Sequence, residues 1–566
     1  MDLRQLTARP FATLPVALLL SAGTFLLYAG TVGAGFATDF TGLLDRMEGA
    51  PFRDFLTCFG FPAMHQVTNF FLYLFVKGFG LDALPWHLVF TGLHAANSLL
   101  AFLLASQLFE KNRLKNAAPA ALMAALLFMS SPYQAEAVVW KVCFNFLSCT
   151  LLVQLSLWLA GCYLNNGRLH CLAGSHLAFL VALFTFELAL ALPPLSAIWA
   201  VMLSLSGGRL PAKHIAGRLL LPQLALVMVY FLLNKVLLGG WVGHYGEAVH
   251  LRFHPLEVSS NLLKYTAKYL FFWREMPHDW RQALMSWLEQ PGVAAGGLAL
   301  AALLPVLFAF CFKKINTALR TAAGSWILFV LALLPVCNLY VAWLLQGEND
   351  RYGYLAAVFF FTGLAALLQL LPRGLRLACF LGWLGASVYF LGKVNTAWRD
   401  SARLLHSLLE DFRWTEAPEV YVLAFPENYQ GLPLFRDFSG QDLALKHALK
   451  YLAGKPARGR FFQIAQYNVN SAAEGVQVSA AEAGVFQLAF SQWGTWWWRN
   501  GDGTGDYETT RWRFQVAGNG CRVSLKQAPA PGAVFIYAAG GKWMKVALRE
   551  TEYPLPTPIP HRSPPE

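Results

Sequence analysis

Apolar runs long enough to cross a bilayer recur through the first four hundred residues, and they restrict the possible folds more than any other feature of this chain. About 20 apolar residues in a helix cover the ~30 Å hydrocarbon core of a membrane. Within that core every backbone N–H and C=O must be paired inside a helix or a closed barrel. Phe11 to Val32 is the first such run, and others begin near Trp86, Ala117, Val138, Leu172, Leu188, Leu219, Val293, Gly324, Tyr354 and Leu377. The pattern predicts roughly eleven spans. Cys171 to Leu205 is nearly unbroken and must be divided at Glu187 or at Pro193. No small-residue cleavage site followed by polar sequence closes the first run, so it reads as a retained span and not as a signal peptide. A composition of 56% hydrophobic and 13% charged residues lies far from that of soluble domains.

The basic residues test the topology. With the N-terminus inside, the cytoplasmic loops hold Lys111, Arg113 and Lys115, then Arg209, Lys213 and Arg218, then Lys313, Lys314 and Arg320, then Arg373 and Arg376. Short basic loops on one face are what the positive-inside rule requires. The net charge of +12 is therefore largely topogenic, and its dispersal over short loops gives no nucleic-acid surface. The other face receives the loop with Asp39, the turns at Glu136 and Glu187, the segment Gly239 to Gln290, Gly347 to Tyr352 and the C-terminal region. Nine cysteines, most of them within spans, imply no disulfide framework. No clustered His/Cys set suggests a metal site, so no cofactor is expected, although a divalent metal is not ruled out.

These readings define a polytopic α-helical membrane protein with a C-terminal β-rich extracytoplasmic domain, placed in a bacterial inner or plasma membrane. The expected organisation is a transmembrane region over 1–395, with outer loops at 34–85 and 239–292, and a helical connector over 396–415. A β-rich domain over 416–553 and a proline-rich tail over 554–566 follow. The β-rich reading rests on EVYVLAF, RFFQIAQYNV, GVFQLAF, RWRFQV, CRVSL and AVFIY, with one helix at Gln441 to Leu452. Phe70 to Phe79 reads as an interfacial helix, and Ser259 to Trp273 as a second one, its face made of Leu262, Tyr265, Tyr269 and Phe272. His94 and Asn97, three apart inside the second span, bond a neighbouring helix or mark a site. His244, His250 and His254 match no metal signature. NGDGTGDYE has Arg511 where a calcium loop needs its last acid, which leaves a glycine-rich hairpin turn. Trp493 and Trp496 to Trp498 suit either sugar stacking or a strand core.

Three outer-edge fragments carry ionisable residues. Asp39 lies just past the first span, Glu136 and Lys141 sit in the turn SSPYQAEAVVWK, and Asp350 and Arg351 precede an apolar span with Tyr352 and Tyr354 beside them. Ionisable groups at a membrane edge are functional candidates by default. An arginine there can fork onto a phosphate at headgroup depth. The plainer readings are a helix end facing water for Asp39, interfacial anchors for Glu136 and Lys141, and a Tyr/Arg belt around Arg351.

Together these fragments resemble the GT-C superfamily of membrane glycosyltransferases, and within it the protein O-mannosyltransferase branch, which includes proteins with tetratricopeptide repeats. Asp39 in ATDF occupies the place of the family's first-loop acid. SPYQAEAVVWK resembles the H-P-x-H-x-E-A-V turn, keeping Pro132, Glu136, Ala137 and Val138, with Ser131 and Gln134 in place of the histidines. FELALALPPLS resembles the K-E turn, with Glu187 kept and Phe186 in place of lysine. LLPVCNLY followed by ENDRYGYLA resembles the L-L-P and R-Y-x-Y-L motifs through Arg351, Tyr352, Tyr354 and Leu355. The likeness covers about the first 410 residues, and the repeats are replaced by the β-rich region.

The resemblance implies transfer of a sugar, with inversion, from a polyprenyl-phosphate donor to a protein, lipid or envelope-glycan acceptor on the outer face. In that scheme Asp39 is the catalytic base. Arg351, Tyr352 and Lys141 bind the donor phosphate, and Glu136, Glu187, His65 and Asp350 support the acceptor or the first loop. A flippase of a lipid-linked glycan and a non-catalytic envelope scaffold with a glycan-binding β-domain are the competing classes.

Overall fold

The computed structural model describes residues 10–37, 39–204, 211–241, 254–272, 276–311, 316–337, 349–435, 441–482, 484–490, 496–498, 505–517 and 520–546. His244, His250, Trp493, Lys313, Lys314, Glu348 and the tail lie outside them. The described chain forms two compact units, one of residues 1–35 and 47–398 and the other of 36–46 and 399–566.

The first unit is helical. Seven helices among the described residues are long and apolar enough to cross a membrane: Thr13–Thr31, Ala83–Lys111, Lys141–Asn166, Glu187–Ser204, Ala212–Leu238, Asp350–Leu368 and Arg373–Asp411. The pair Ala117–Ser130 and Pro132–Val139, bent by 56°, makes an eighth, and Leu169–Leu183, Thr317–Leu333 and the 21-residue Pro291–Cys311 are further apolar helices. Each of the eleven expected runs thus falls on an apolar helix: the seven long ones, the bent pair and the three further ones. The long run Cys171 to Leu205 breaks on the Glu187 side. Leu169–Leu183 ends at Phe184, and Pro193 sits inside Leu192–Ser204, in its first turn, where a missing N–H costs nothing.

Enclosure varies in the way a bundle requires. Asp350–Leu368 is 78% buried, whereas Thr13–Thr31 and Ala212–Leu238 are each 17% buried and turn their apolar side chains outward. Two polar side chains of the second span are paired with neighbouring helices. His94 bonds the Tyr354 hydroxyl at 2.6 Å and the Met129 carbonyl at 3.1 Å. Asn97 donates to the Leu147 carbonyl at 3.0 Å and accepts from Gln154 at 2.9 Å. The helix-pairing alternative is therefore the one realised for His94 and Asn97. Tyr354, expected to border lipid, is fully buried because its hydroxyl has this inner partner.

The second interfacial helix is corrected. The segment forms a helix over Pro255–Phe271, but Tyr265, Tyr269, Lys264 and Lys268 are all buried in protein. Lys264 pairs with Glu289 at 2.7 Å and Lys268 with Asp350 at 2.8 Å. The supposed lipid-facing ridge therefore packs against the chain. Phe272 lies beyond the helix in a left-handed conformation, φ 47°. The first interfacial segment forms a helix over Gln66–Phe79 that begins earlier than Phe70, and its Thr68 hydroxyl bonds the Thr185 carbonyl at 2.8 Å.

The second unit is built on two sheets. The strands are β1 (Glu419–Tyr429), β2 (Leu432–Pro433), β3 (Arg460–Val469), β4 (Val476–Glu482), β5 (Val485–Phe490), β6 (Trp496–Trp498), β7 (Tyr507–Glu508), β8 (Trp512–Ala517), β9 (Gly520–Leu525), β10 (Val534–Ala539) and β11 (Lys542–Val546). One sheet runs β11-β10-β1-β3-β6 with β2 on β1, and the other runs β4-β5-β9-β8-β7. β1 lies parallel to both β3 and β10 and is buried along its whole length, as a strand covered on both faces is. The helix Gln441–Leu452 supplies the crossover from β1 to β3 that a parallel pair needs. The last span and the expected connector are one continuous helix, Arg373–Asp411. Its C-terminal end is tied to the sheet, where Trp543 donates to the Leu408 carbonyl at 2.7 Å and to Asp411 at 2.8 Å.

Candidate functional site

The bend between Ser130 and Phe144 builds one wall of the site. Pro132 cannot continue the helix of Ala117–Ser130, and the chain passes through short turns at Pro132–Gln134 and Lys141–Cys143 around the five-residue helix Ala135–Val139. Gly35 packs against this bend so closely that a Cβ there would sit 1.9 Å from the Val139 carbonyl oxygen, and φ is +88°. Only glycine fits. Its carbonyl accepts the Lys141 amide at 3.0 Å.

Arg351 enters from the turn Asp350–Gly353, which opens after Asn349 in a left-handed conformation, φ 67°, and runs directly into the helix Tyr354–Leu368. Glu136, 2% exposed, accepts the Arg351 backbone amide at 2.7 Å through one carboxylate oxygen and the guanidinium through the other. The guanidinium lies 5.0 Å from the Trp140 ring centre and 4.6 Å from that of Tyr352, and donates to the Tyr352 hydroxyl at 3.2 Å. Arg351 keeps 13% of its side-chain surface exposed. A guanidinium oriented by a buried acid and flanked by aromatic faces is a planar, pre-aimed cation.

A second pair stands beside the first. His65 and Glu187 meet at 2.8 Å, with the His65 ring 5.3 Å from Phe186. Phe186 packs on Phe146 at 4.6 Å, and Phe146 on Tyr352 at 5.6 Å. An aromatic chain thus joins the two acid pairs. Lys141 is 1% exposed with its ammonium 5.0 Å from the Phe90 ring centre, so it reaches less surface than a phosphate ligand would need. Asp350 is bound to Lys268 at 2.8 Å. Glu136, Glu187, His65, Arg351, Tyr352, Asp350 and Lys141 therefore all fall in the helical unit.

Asp39 belongs to the other unit, where it opens the helix Asp39–Met47. A carboxylate in the first turn is favoured by the amides exposed there, by about 0.3–1 kcal/mol. The same helix is fastened by Asp45, which accepts from Tyr451 at 2.9 Å and Lys450 at 3.1 Å and lies 3.5 Å from His447. Partial burial pushes the Asp45 carboxyl up, but the Tyr451 and Lys450 hydrogen bonds outweigh it and hold it below the ordinary carboxylate range.

Sequence reasoning misses Trp140 and Phe146, and it assigns Tyr265 and Tyr269 to a membrane-facing helix instead of the site. Trp140 is the one with a local signal, because it directly precedes Lys141 in the same turn. Among the described residues no group of three or more His, Cys, Asp or Glu could hold a metal ion.

No protein-family model matches the chain, and no curated protein sequence matches it. Solved structures similar to it include two crystal structures of one protein. One is ArnT from Cupriavidus metallidurans bound to undecaprenyl phosphate, 12% identical, with 81% of this chain and 93% of that chain covered at a TM-score of 0.35. The other is the same protein in the apo state, 14% identical, with 80% and 90% covered at a TM-score of 0.32. Overlaps this loose leave the function to be read from the chain's own residues.

Proposed function

We propose that this protein is a membrane glycosyltransferase that moves a sugar from a polyprenyl-phosphate donor to an acceptor on the outer face. The observation that carries the reading is the Arg351 guanidinium, bonded to Glu136, which also holds the Arg351 amide, and flanked by Trp140 and Tyr352 at the head of a span. A cation at that depth suits the phosphate of a lipid whose chain lies in the bilayer. The resemblance to GT-C motifs at Asp39, Glu136, Glu187 and Arg351 supports the same assignment and narrows it toward the O-mannosyltransferase branch.

In the proposed reaction an acceptor hydroxyl attacks the anomeric carbon from the face opposite the phosphate. The new C–O bond forms as the bond to the phosphate oxygen breaks, and the lipid phosphate leaves with the bonding pair. Asp39 takes the hydroxyl proton. Arg351 offsets the negative charge gathering on the phosphate. Glu136 keeps Arg351 aimed, and the Glu187–His65 pair supports the acceptor side.

The test uses membranes containing the full-length protein, supplied with a polyprenyl-phosphate-linked sugar such as polyprenyl-phosphate mannose. Asp39→Asn is expected to abolish transfer at unchanged expression, and Arg351→Ala to weaken donor use most. Near-normal turnover in Asp39→Asn removes it from the base role, and unchanged donor dependence in Arg351→Ala refutes the phosphate assignment.

A further inference from the structure

We infer that Tyr265, Lys268 and Tyr269 are positioning residues that lock the turn carrying Arg351 in the register needed for phosphate binding. The inference rests on the donor reading above. The three side chains stand at the spacing that puts them on one face of the helix Pro255–Phe271. Each reaches the same turn. The Tyr265 hydroxyl donates to the Asn349 carbonyl at 3.2 Å, Lys268 to the Asp350 carboxylate at 2.8 Å, and the Tyr269 hydroxyl to the Gly353 carbonyl at 2.9 Å. Arg351 is therefore bracketed on both sides, while its own amide is held by Glu136.

Packing alone does not ask for this arrangement. Lys268 and Asp350 are each 2% exposed, and apolar residues of similar volume commonly stabilise a core as well as a buried ion pair does. What the polar contacts add is register. A slip of one residue along the turn displaces the guanidinium by about 3.8 Å, more than a hydrogen bond spans. Gly353 lets the brace come close, since a Cβ there would lie 2.3 Å from the Tyr269 hydroxyl. The bracing helix is itself anchored: Ser259 donates to the Ala294 carbonyl at 2.7 Å, Ser260 to that of Leu288 at 3.0 Å, and Asn261 to that of Cys337 at 2.8 Å.

The experiment measures the affinity of the purified full-length protein for undecaprenyl phosphate in detergent. Two variants keep the fold while cutting the brace: Lys268→Met with Asp350→Asn, which removes both charges together, and Tyr265→Phe with Tyr269→Phe, which removes only hydroxyls. Each is expected to weaken binding about tenfold, the scale of losing charged or paired hydrogen bonds. Placed in an Arg351→Ala background, neither is expected to cost anything further, because the brace acts through Arg351. Unchanged affinity in both variants, or the same loss with and without Arg351, overturns the positioning role while leaving the donor reading intact. Wild-type protein that does not bind undecaprenyl phosphate overturns both.

Discussion

Glu136 binds Arg351 twice, once through the backbone amide and once through the guanidinium, although 215 positions of chain separate them. The double contact fixes where the turn sits as well as where its side chain points. A carboxylate that held only the guanidinium would leave the backbone able to shift. Removing Arg351 strands a buried carboxylate, whereas removing Glu136 leaves an unmatched backbone amide and a guanidinium that keeps 13% of its side-chain surface exposed.

Glu136→Ala is accordingly expected to lower stability by about 1–3 kcal/mol, the cost of leaving a buried donor without its acceptor. Glu136→Gln keeps an acceptor for the Arg351 amide and is expected to lose less. Thermal unfolding of the two purified variants beside wild type checks the order, and equal losses would show that the backbone contact contributes little.

Gly353→Ala places a methyl group against the Tyr269 hydroxyl, 2.3 Å from the ideal Cβ position. A loss of about 1–3 kcal/mol is expected from overpacking of this kind. Adding Tyr269→Phe removes the clashing oxygen, after which the nearest neighbours stand at 3.3 Å and 3.4 Å. The double variant should therefore melt above Gly353→Ala alone, and a lower melting point would place the strain elsewhere.

In the second unit, Glu419 carries a pH signature. Its carboxylate is buried and accepts from Tyr421 at 3.1 Å, Arg460 at 2.6 Å, Arg511 at 3.2 Å and the Ala530 amide at 3.1 Å. Burial pushes this carboxyl up, but the Ala530, Tyr421 and arginine contacts outweigh it and bring it below the usual range. A group held lower in the folded state stabilises fully above its unfolded pKa, about 4.3 for glutamate, and loses that contribution as pH falls through the folded value. Protease resistance of the C-terminal unit in the full-length protein should thus fall on Glu419→Gln at pH 7. The difference from wild type should close below about pH 4. A difference that persists in acid would assign the effect to something other than the ionised carboxylate.

Asp45→Ala should loosen the helix Asp39–Met47 from its partners Lys450, Tyr451 and His447. Limited proteolysis of membranes is expected to cut this variant within the helix several times faster than wild type. The carboxyl is held below its ordinary value, so wild-type protection should survive at pH 5 and fade only below about pH 4. Equal cutting rates at pH 7 would show that other contacts fasten the helix.

How much of this was legible in the sequence depends on how far apart the partners lie. Glu136, Glu187 and Arg351 could be picked out because each is an ionisable residue at the edge of an apolar run, and the strands β1, β3, β5, β8, β9 and β10 each carry a visible local pattern. The Pro255–Phe271 helix was visible too, but periodicity reports that a face is amphipathic and not whether lipid or protein covers it. Nothing near Lys264 and Lys268 in the sequence names Glu289 and Asp350 as their partners. The parallel pairing of β1 with β10 joins Val420 to Val534, and the short strands β2, β6 and β7 have too few residues to leave a pattern.

Asp45, in the helix that begins at Asp39, finds Lys450 only 405 positions later. On a ribosome it is therefore made early and completed late. Asp45 must wait without its clasp until the crossover helix between β1 and β3 has emerged. Any assembly factor or quality-control protease that attends this chain has that interval in which to act.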